Sequence, residues 1–206
     1  MLKIRYLNKH DVKTVAQMKL DHWQTIYRGM VDDDYLNGLT LEKQIAEVSG
    51  YVGIHAKGVD KSLEYLSDEF AEDKEILENI HATLKRLQVY AIIAENENQE
   101  ILGFCTFGYR WTKSGDMRSF NNYDYLIHEL YVAQAFRKRG IGRKLISFAF
   151  KEAWKHGQKK VLLKAHAHNE NAISFYKKIG GYVLGESVIE LRGKTYPQVV
   201  IGFQLV

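Results

Sequence analysis

The chain carries one cysteine and one proline in 206 residues. The lone Cys105 excludes an internal disulfide and any metal cluster built on several thiolates, and it suits a reducing compartment. With so little proline and no Gly/Ser-rich tract there is no sign of a linker, so the expectation is one domain over residues 1–206. No apolar run approaches the roughly 18 residues of a membrane span, and the opening Met-Leu-Lys-Ile-Arg-Tyr lacks the features of a signal peptide. The expected location is cytoplasmic, without membrane attachment. Lys and Arg number 29 against 25 Asp and Glu, and a net +4 is too slight to mark a nucleic-acid protein. What remains is 46% apolar and 26% charged residues, the composition of an ordinary globular chain.

Hydrophobic periodicity divides the chain into two textures. Residues 3–7 alternate as a short strand, with Asn8 or Asp11 as the cap of a following helix. From Val12 to Tyr27 a helical stripe includes Val15, Ala16, Met18, Trp23 and Ile26, and Gly29 ends it. Residues 32–47 read as another helix with Thr40 as an N-cap. Residues 61–87 are acidic and then helical, with Leu77, Ile80, Leu84 and Leu87 on one side of 76–87. That face must be buried on the same domain or on a second copy, so a homodimer is one expectation.

After residue 87 strands dominate. They are expected at 89–94, 101–109, 123–132, 161–167, about 182–191 and about 198–206, with helices at 141–154 and 170–179. The β-α-β-α-β run over 123–190 calls for a partly parallel sheet in an α/β or α+β fold.

The most informative stretch is Phe136-Arg137-Lys138-Arg139-Gly140-Ile141-Gly142-Arg143-Lys144, between a strand and a helix. Glycines at a helix start let backbone N–H groups approach an anion, and the helix terminus and five cations add positive charge. A Walker A loop fails because Arg143 follows Gly142. A dinucleotide fingerprint fails because Leu145 replaces its third glycine and Leu162 stands where an acid is needed. The remaining pattern, Arg/Gln-x-x-Gly-x-Gly after a strand, is met by Arg137, Gly140 and Gly142.

This loop resembles the coenzyme A pyrophosphate loop of the GNAT superfamily of acyl-CoA N-acyltransferases. Asn169 to Gly180 is similar to that superfamily's second cofactor segment, Asn-x-x-Ala-x-x-Phe-Tyr-x-x-x-Gly, and Glu129-Leu130-Tyr131-Val132 to its splayed strand. The likeness covers about residues 88–206 and, more loosely, the first strand and helix. It implies a mixed, mostly antiparallel sheet flanked by helices, splayed at a central parallel pair. Residues 88–206 then form the acyl-CoA core, and about 30–87 an extended helical acceptor side.

The resemblance implies acetyl-CoA as cosubstrate and acetyl transfer to a primary amine of a small molecule or peptide within a ternary complex. The cofactor would meet Leu130, Tyr131 and Val132, then Arg137, Lys138, Arg139, Gly140, Ile141, Gly142 and Arg143, and finally Asn169 and Ala172. Tyr176 would stand by the thioester sulfur as a proton donor. On the helix pattern Ala172, Phe175 and Ile179 supply the core face and leave Tyr176 at the edge.

Glu129 is the candidate base or amine-binding acid, with a structural ion pair as the competing reading. Strand alternation places it with Ile127 and Tyr131, opposite His128 and Leu130. Trp23 and Tyr27, one turn apart, resemble a Trp-x-x-x-Tyr pair of related small proteins and are candidates for the acceptor-pocket wall. His166 and His168 could chelate, but no third ligand is suitably spaced, so no metal is expected. Nucleic acid is not an expected partner. A non-catalytic acyl-CoA-binding regulator of the same fold is the alternative.

Overall fold

The computed structural model describes residues 2–54, 88–109 and 122–205, with Asn79, Ala82 and Phe120 besides. The helix expected at 76–87, its apolar face and most of the loop at 110–122 lie outside the described residues.

Strand β1 (Lys3–Tyr6) leads into a 3-10 turn at Lys9–Asp11. Both candidate caps act there. Asn8 Oδ1 accepts the His10 N–H at 2.9 Å, and Asp11 Oδ2 accepts the Asn8 N–H at 2.8 Å. Helix α1 (Val12–Ile26) buries Val12, Val15, Ala16 and Leu20, the stripe that its spacing dictates. Residues 32–47 hold two helices rather than one, α2 (Asp33–Asn37) and α3 (Leu41–Ser49). The break follows from local chemistry. Asp32 caps α2, Gly38 ends it, and Thr40 Oγ1 accepts the Lys43 N–H at 3.4 Å to start α3.

Then come β2 (Tyr90–Glu95), β3 (Ile101–Tyr109), β4 (Tyr125–Val132), α4 (Ile141–Lys155), β5 (Lys160–His166), α5 (Glu170–Lys178), β6 (Tyr182–Leu191) and β7 (Lys194–Gln204). Strand β7 begins at Lys194, earlier than the expected 198. Arg192 (φ +49°) and Gly193 (φ +76°) both take left-handed conformations, so the hairpin closes in a tight two-residue turn.

The seven strands form one sheet in the order β1-β2-β3-β4-β5-β7-β6. Every neighbouring pair is antiparallel except the central β4–β5 pair. On one face α4 lays Ile141, Leu145, Ala149 and Ala153 against Ile92, Cys105, Phe107 and Tyr125. On the other, α1 and α3 cover Ala91, Ile93, Phe104 and Tyr131. Arg5 ties β1 down, its guanidinium 2.6 Å from Asp11 and 2.8 Å from Glu95 at the end of β2. Among the described residues no helix is long and apolar enough to cross a membrane.

Phe104 is fully buried and stacks on Tyr131, with ring centroids 6.2 Å apart and planes 1° from parallel. Phe104→Ala should destabilise the fold by about 3–5 kcal/mol, read as a lowered urea midpoint. Tyr131 should loosen with it.

Candidate active site

The central feature is a parallel ladder that stops. Strands β4 and β5 pair only at Tyr125–Val161, Leu126–Leu162 and Ile127–Leu163, although β4 runs on to Val132 and β5 to His166. On its other edge β4 stays paired with β3, but with a bulge: Thr106 faces Glu129 while Phe107 faces Ile127. His128 is the extra residue. A bulge bends its strand, and here the bend falls where β4 leaves β5. The backbone of residues 128–132 therefore lines a gap between the two strands.

The bulge also shifts the side-chain phase, which corrects one expectation. Glu129 and Tyr131 do share a face, the one covered by α1 and α3. Ile127, however, points the other way, into the α4-side cluster that also receives Leu130 and Val132. Simple alternation cannot survive an inserted residue.

At the mouth of the gap lies the glycine loop. A 3-10 turn at Gln134–Phe136 precedes it, and Lys138 (φ +60°) and Gly140 (φ +81°) turn the chain into α4. The first helical bond runs from the Lys144 N–H to the Gly140 carbonyl at 3.1 Å. That leaves the N–H groups of Gly140, Ile141, Gly142 and Arg143 without intrahelical acceptors. Lys138, Arg139, Arg143 and Lys144 stand exposed around them. Free N–H groups, a helix terminus and four cations suit a phosphate anion.

The two glycines act differently. Gly140 supplies the left-handed turn, and a Cβ there would meet nothing within 4 Å. At Gly142 a Cβ would lie 3.2 Å from the Phe175 ring and 3.7 Å from Leu130 and Val132. Glycine there serves the close packing of α4, α5 and β4. Arg137 turns inward: its Nε donates to the Val132 carbonyl at 3.1 Å, and its Nη2 lies 3.4 Å from His22 Nδ1 on α1. The guanidinium thus braces the loop against β4 and α1.

Helix α5 starts at Asn169, whose Oδ1 accepts the Ala172 N–H at 3.1 Å. The expected orientation of this helix needs correction. Ile173, Tyr176 and Ile179 pack against the α4-side core, and Phe175 instead fills the space above Gly142. Tyr176 is therefore partly buried against that core rather than free at the edge. Burial pushes its phenol well up, and nearby Tyr27 and Cys105 push the same way, so it stays protonated. The buried Cys105 thiol is likewise pushed up, first by burial and then by the Glu129 charge, which makes it a small hydrophobe and a poor nucleophile.

On the opposite face, α1 presents Trp23 stacked on Tyr27, with centroids 4.5 Å apart. The Trp23 indole N–H donates to the Tyr131 hydroxyl at 3.2 Å, and that hydroxyl donates to Glu129 Oε1 at 3.1 Å. The structure thus brings Trp23, Tyr27, Tyr131 and Glu129 together. Glu129 is not a lone carboxylate. Lys19 Nζ lies 2.7 Å from it and 2.5 Å from Glu47, and the Thr106 hydroxyl donates to its other oxygen at 3.4 Å.

Lys19 is buried, with 3% of its side chain exposed, against 15% for Glu129 and 45% for Glu47. Burial opposes the Lys19 charge most strongly, but the two carboxylates outweigh it and its ammonium is held. Glu47 is pushed above the usual carboxylate range by desolvation and by Glu129, with Lys19 pulling it back. One cation between two anions leaves the cluster net negative.

Sequence reasoning missed Lys19 and Glu47. The signal for Lys19 was present: a charge at position 19 interrupts the buried stripe Val15, Ala16, Leu20 of α1, and a charge there needs a partner. Glu47 lies on α3, remote in sequence, and carries no comparable signal. His166 and His168 do come together, with rings 5.4 Å apart, but His166 Nδ1 accepts the His168 N–H at 3.2 Å. Among the described residues no three His, Cys, Asp or Glu side chains converge on a metal position.

A mixed sheet parted at its central parallel pair, with a glycine-rich helix start at the mouth, is a fold shared with solved N-acetyltransferases. The PaiA N-acetyltransferase from Thermoplasma acidophilum, in complex with coenzyme A, superposes with a TM-score of 0.60 at 18% identity over 99% of both chains. A model of the acetyltransferase (GNAT) family matches residues 57–182, more than half of the 206. The chain belongs to the acetyltransferase (GNAT) family. Among curated relatives, the uncharacterized N-acetyltransferase YuaI of Bacillus subtilis is 22% identical over 204 residues, 98% of this chain and 93% of that protein. The L-methionine sulfoximine/L-methionine sulfone acetyltransferase of Salmonella typhimurium is 29% identical over 97 residues, 47% of this chain and 53% of that protein. The match thus spans about half the length of the Salmonella protein.

His22 and His128 are both held neutral, pushed down to about 4 mainly by burial, with Arg137 also acting on His22. A histidine depressed in the fold contributes full stability above its unfolded value near 6.5 and loses it as pH falls toward 4. The urea midpoint should therefore fall between pH 6.5 and 4. His22→Gln, with nothing to titrate, should flatten part of that slope.

Proposed function

We propose that this acetyltransferase moves the acetyl group of acetyl-CoA to the primary amine of a small molecule or peptide, directly within a ternary complex. The observation that carries the reading is the parted β4–β5 pair opening onto the free N–H groups of Gly140 to Arg143. Backbone of Leu130, Tyr131 and Val132 suits the amide groups of a pantetheine arm. The loop from Arg137 to Arg143 suits its pyrophosphate, with Asn169 and Ala172 on the far wall. The coenzyme A held by the PaiA relative supports that choice of donor. We take the chain as one such domain, with residues 30–87 on the acceptor side. The described part of that segment brings α2 and α3 to Trp23 and Lys19.

Chemistry then assigns roles. A primary amine has a pKa near 10.4, so at pH 7 it arrives as an ammonium. The net-negative cluster of Glu129, Lys19 and Glu47 beside the Trp23 and Tyr27 rings suits that cation. Glu129 takes one proton from the bound ammonium and passes it to solvent, and the freed nitrogen attacks the thioester carbonyl carbon. A C–N bond forms, the C–S bond breaks, and the nitrogen releases its second proton to solvent. Charge developing on the carbonyl oxygen can be met by a backbone N–H of residues 130–132. Tyr176 gives the departing sulfur a proton and is itself reprotonated from solvent. Glu129 acts as the carboxylate that holds the amine.

A non-catalytic acyl-CoA-binding regulator is not favoured. Glu129 does sit in an ion pair, but its cluster remains open at the half-exposed Glu47, and the named relatives are N-acetyltransferases.

Calorimetry with coenzyme A tests the donor site. Arg143→Glu should weaken binding at least about tenfold, with the loss shrinking at high salt. Unchanged affinity in the folded variant would sink the assignment. A thiol-release assay tests the chemistry. A thiol leaving group with pKa about 8.5 needs little help, so Tyr176→Phe should lower kcat about tenfold rather than abolish it.

Glu129→Gln should lower turnover more at pH 7 than at pH 9, where more amine is already neutral. Equal losses at the two pH values would mark a purely structural ion pair.

A further inference from the structure

Tyr131 belongs to both sides of the gap. Its backbone lies in the stretch of β4 that runs on past the last pair with β5, and its side chain is buried on the α1 and α3 face. The ring is clamped there. It stacks on Phe104, and the His22 ring meets it edge-on with centroids 4.7 Å apart. The hydroxyl is therefore held at one place relative to the strand.

The direction of its hydrogen bonds is fixed as well. An indole N–H can only donate, and a carboxylate can only accept. With Trp23 Nε1 at 3.2 Å and Glu129 Oε1 at 3.1 Å, the single hydroxyl proton of Tyr131 has to point at Glu129. Burial and then the Glu129 charge push the phenol well up, so that proton stays in place. The Trp23 N–H polarises the hydroxyl that it donates to, which strengthens the onward bond.

These contacts make the two oxygens of Glu129 unequal. Oε1 meets both the Tyr131 hydroxyl and the Lys19 ammonium, the latter at 2.7 Å. Among the described residues Oε2 receives only the Thr106 hydroxyl, at 3.4 Å. A carboxylate oxygen has two lone pairs, so Oε1 is filled and Oε2 has one to spare.

We propose that Tyr131 is a positioning residue for acetyl transfer, its hydroxyl turning Glu129 so that Oε2 is the oxygen offered to the acceptor amine. This rests on the acetyltransferase reading of the site. The backbone of the same residue borders the donor's gap. One residue then sets the distance between the oxygen that takes the amine's proton and the carbonyl that the amine attacks. An error of about 1 Å in such a distance costs on the order of a hundredfold in rate. Trp23, on the acceptor wall, is registered to the same hydroxyl.

The test is a thiol-release assay with acetyl-CoA over a panel of primary amines, continued with the amine that the wild-type protein acetylates best. Tyr131→Phe keeps the ring, the backbone and both ring contacts, and removes one oxygen. Its kcat should fall about tenfold, while coenzyme A affinity by calorimetry stays within about twofold of wild type. A donor to a carboxylate favours the charged form, so the acid limb of kcat/KM should move up by about one pH unit. Lys19 and Glu47 also face Glu129 and are common to both proteins. Tyr27, Tyr51 and Cys105 are pushed up by burial, and His128 is pushed down to about 4. The difference between the two profiles therefore reports the lost hydroxyl. Trp23→Phe removes only the donor to that hydroxyl, should move the limb the same way by a smaller step, and decides the question if Tyr131→Phe does not fold. An acid limb unmoved in the folded variants, or a Tyr131→Phe loss confined to coenzyme A affinity, would overturn this proposal alone. A wild-type protein that acetylates no amine of the panel would overturn the acetyltransferase reading with it.

Discussion

The structure depends on where one backbone ladder ends. Strands β4 and β5 share three register pairs, Tyr125–Val161 to Ile127–Leu163, and then separate because β4 is bent by the extra residue His128. A continuous parallel ladder would pair the backbone of residues 128–132 with β5 and leave no gap. Both neighbours of the gap are fixed elsewhere, β4 by β3 and β5 by β7, so the opening is held between two well-paired sheet halves. Flexibility is not needed to make it. Around that opening the chain sets a helix start for anionic groups on one side and an acidic, aromatic cluster on the other.

The glycine loop and helix α5 were legible as elements because their signals are local. Arg137, Gly140 and Gly142 fall within one turn, and Asn169 to Gly180 is one short helix with its caps. Where local signals misled, a specific displacement was the cause. The bulge at His128 moved Ile127 to the other face. Phe175, drawn over Gly142, rotated α5 so that Tyr176 faces inward. Neither event has a signature in hydrophobic period alone, since each depends on contact between distant segments.

The surroundings of Trp23 and Tyr27 were legible only in part. Trp23 and Tyr27 stood out by spacing, but the charges that complete their surroundings come from α1, α3 and β4 together. Lys19 is the informative case. Two carboxylates from separate elements meet a single buried ammonium, and removing that ammonium would leave Glu47 and Glu129 facing each other unscreened. The ion pair and the site are therefore one device. It fastens α1 and α3 to the sheet while leaving Glu47 half-exposed on one side.

The pairing of β1 with β2 has a consequence for how the molecule is assembled. Lys3 faces Glu95 and Tyr6 faces Ile92, so this edge closes a loop of most of a hundred residues before its first ladder pair forms. The run from β4 to α5 needs no such closure, because β4, α4, β5 and α5 follow one another directly along the chain. Helix α1, with Lys19, Trp23 and Tyr27, is delivered to the sheet together with β1. The entropic cost of long-range closure thus falls on the α1 side, and a chain that has already formed its glycine loop still lacks the Lys19–Glu47–Glu129 cluster.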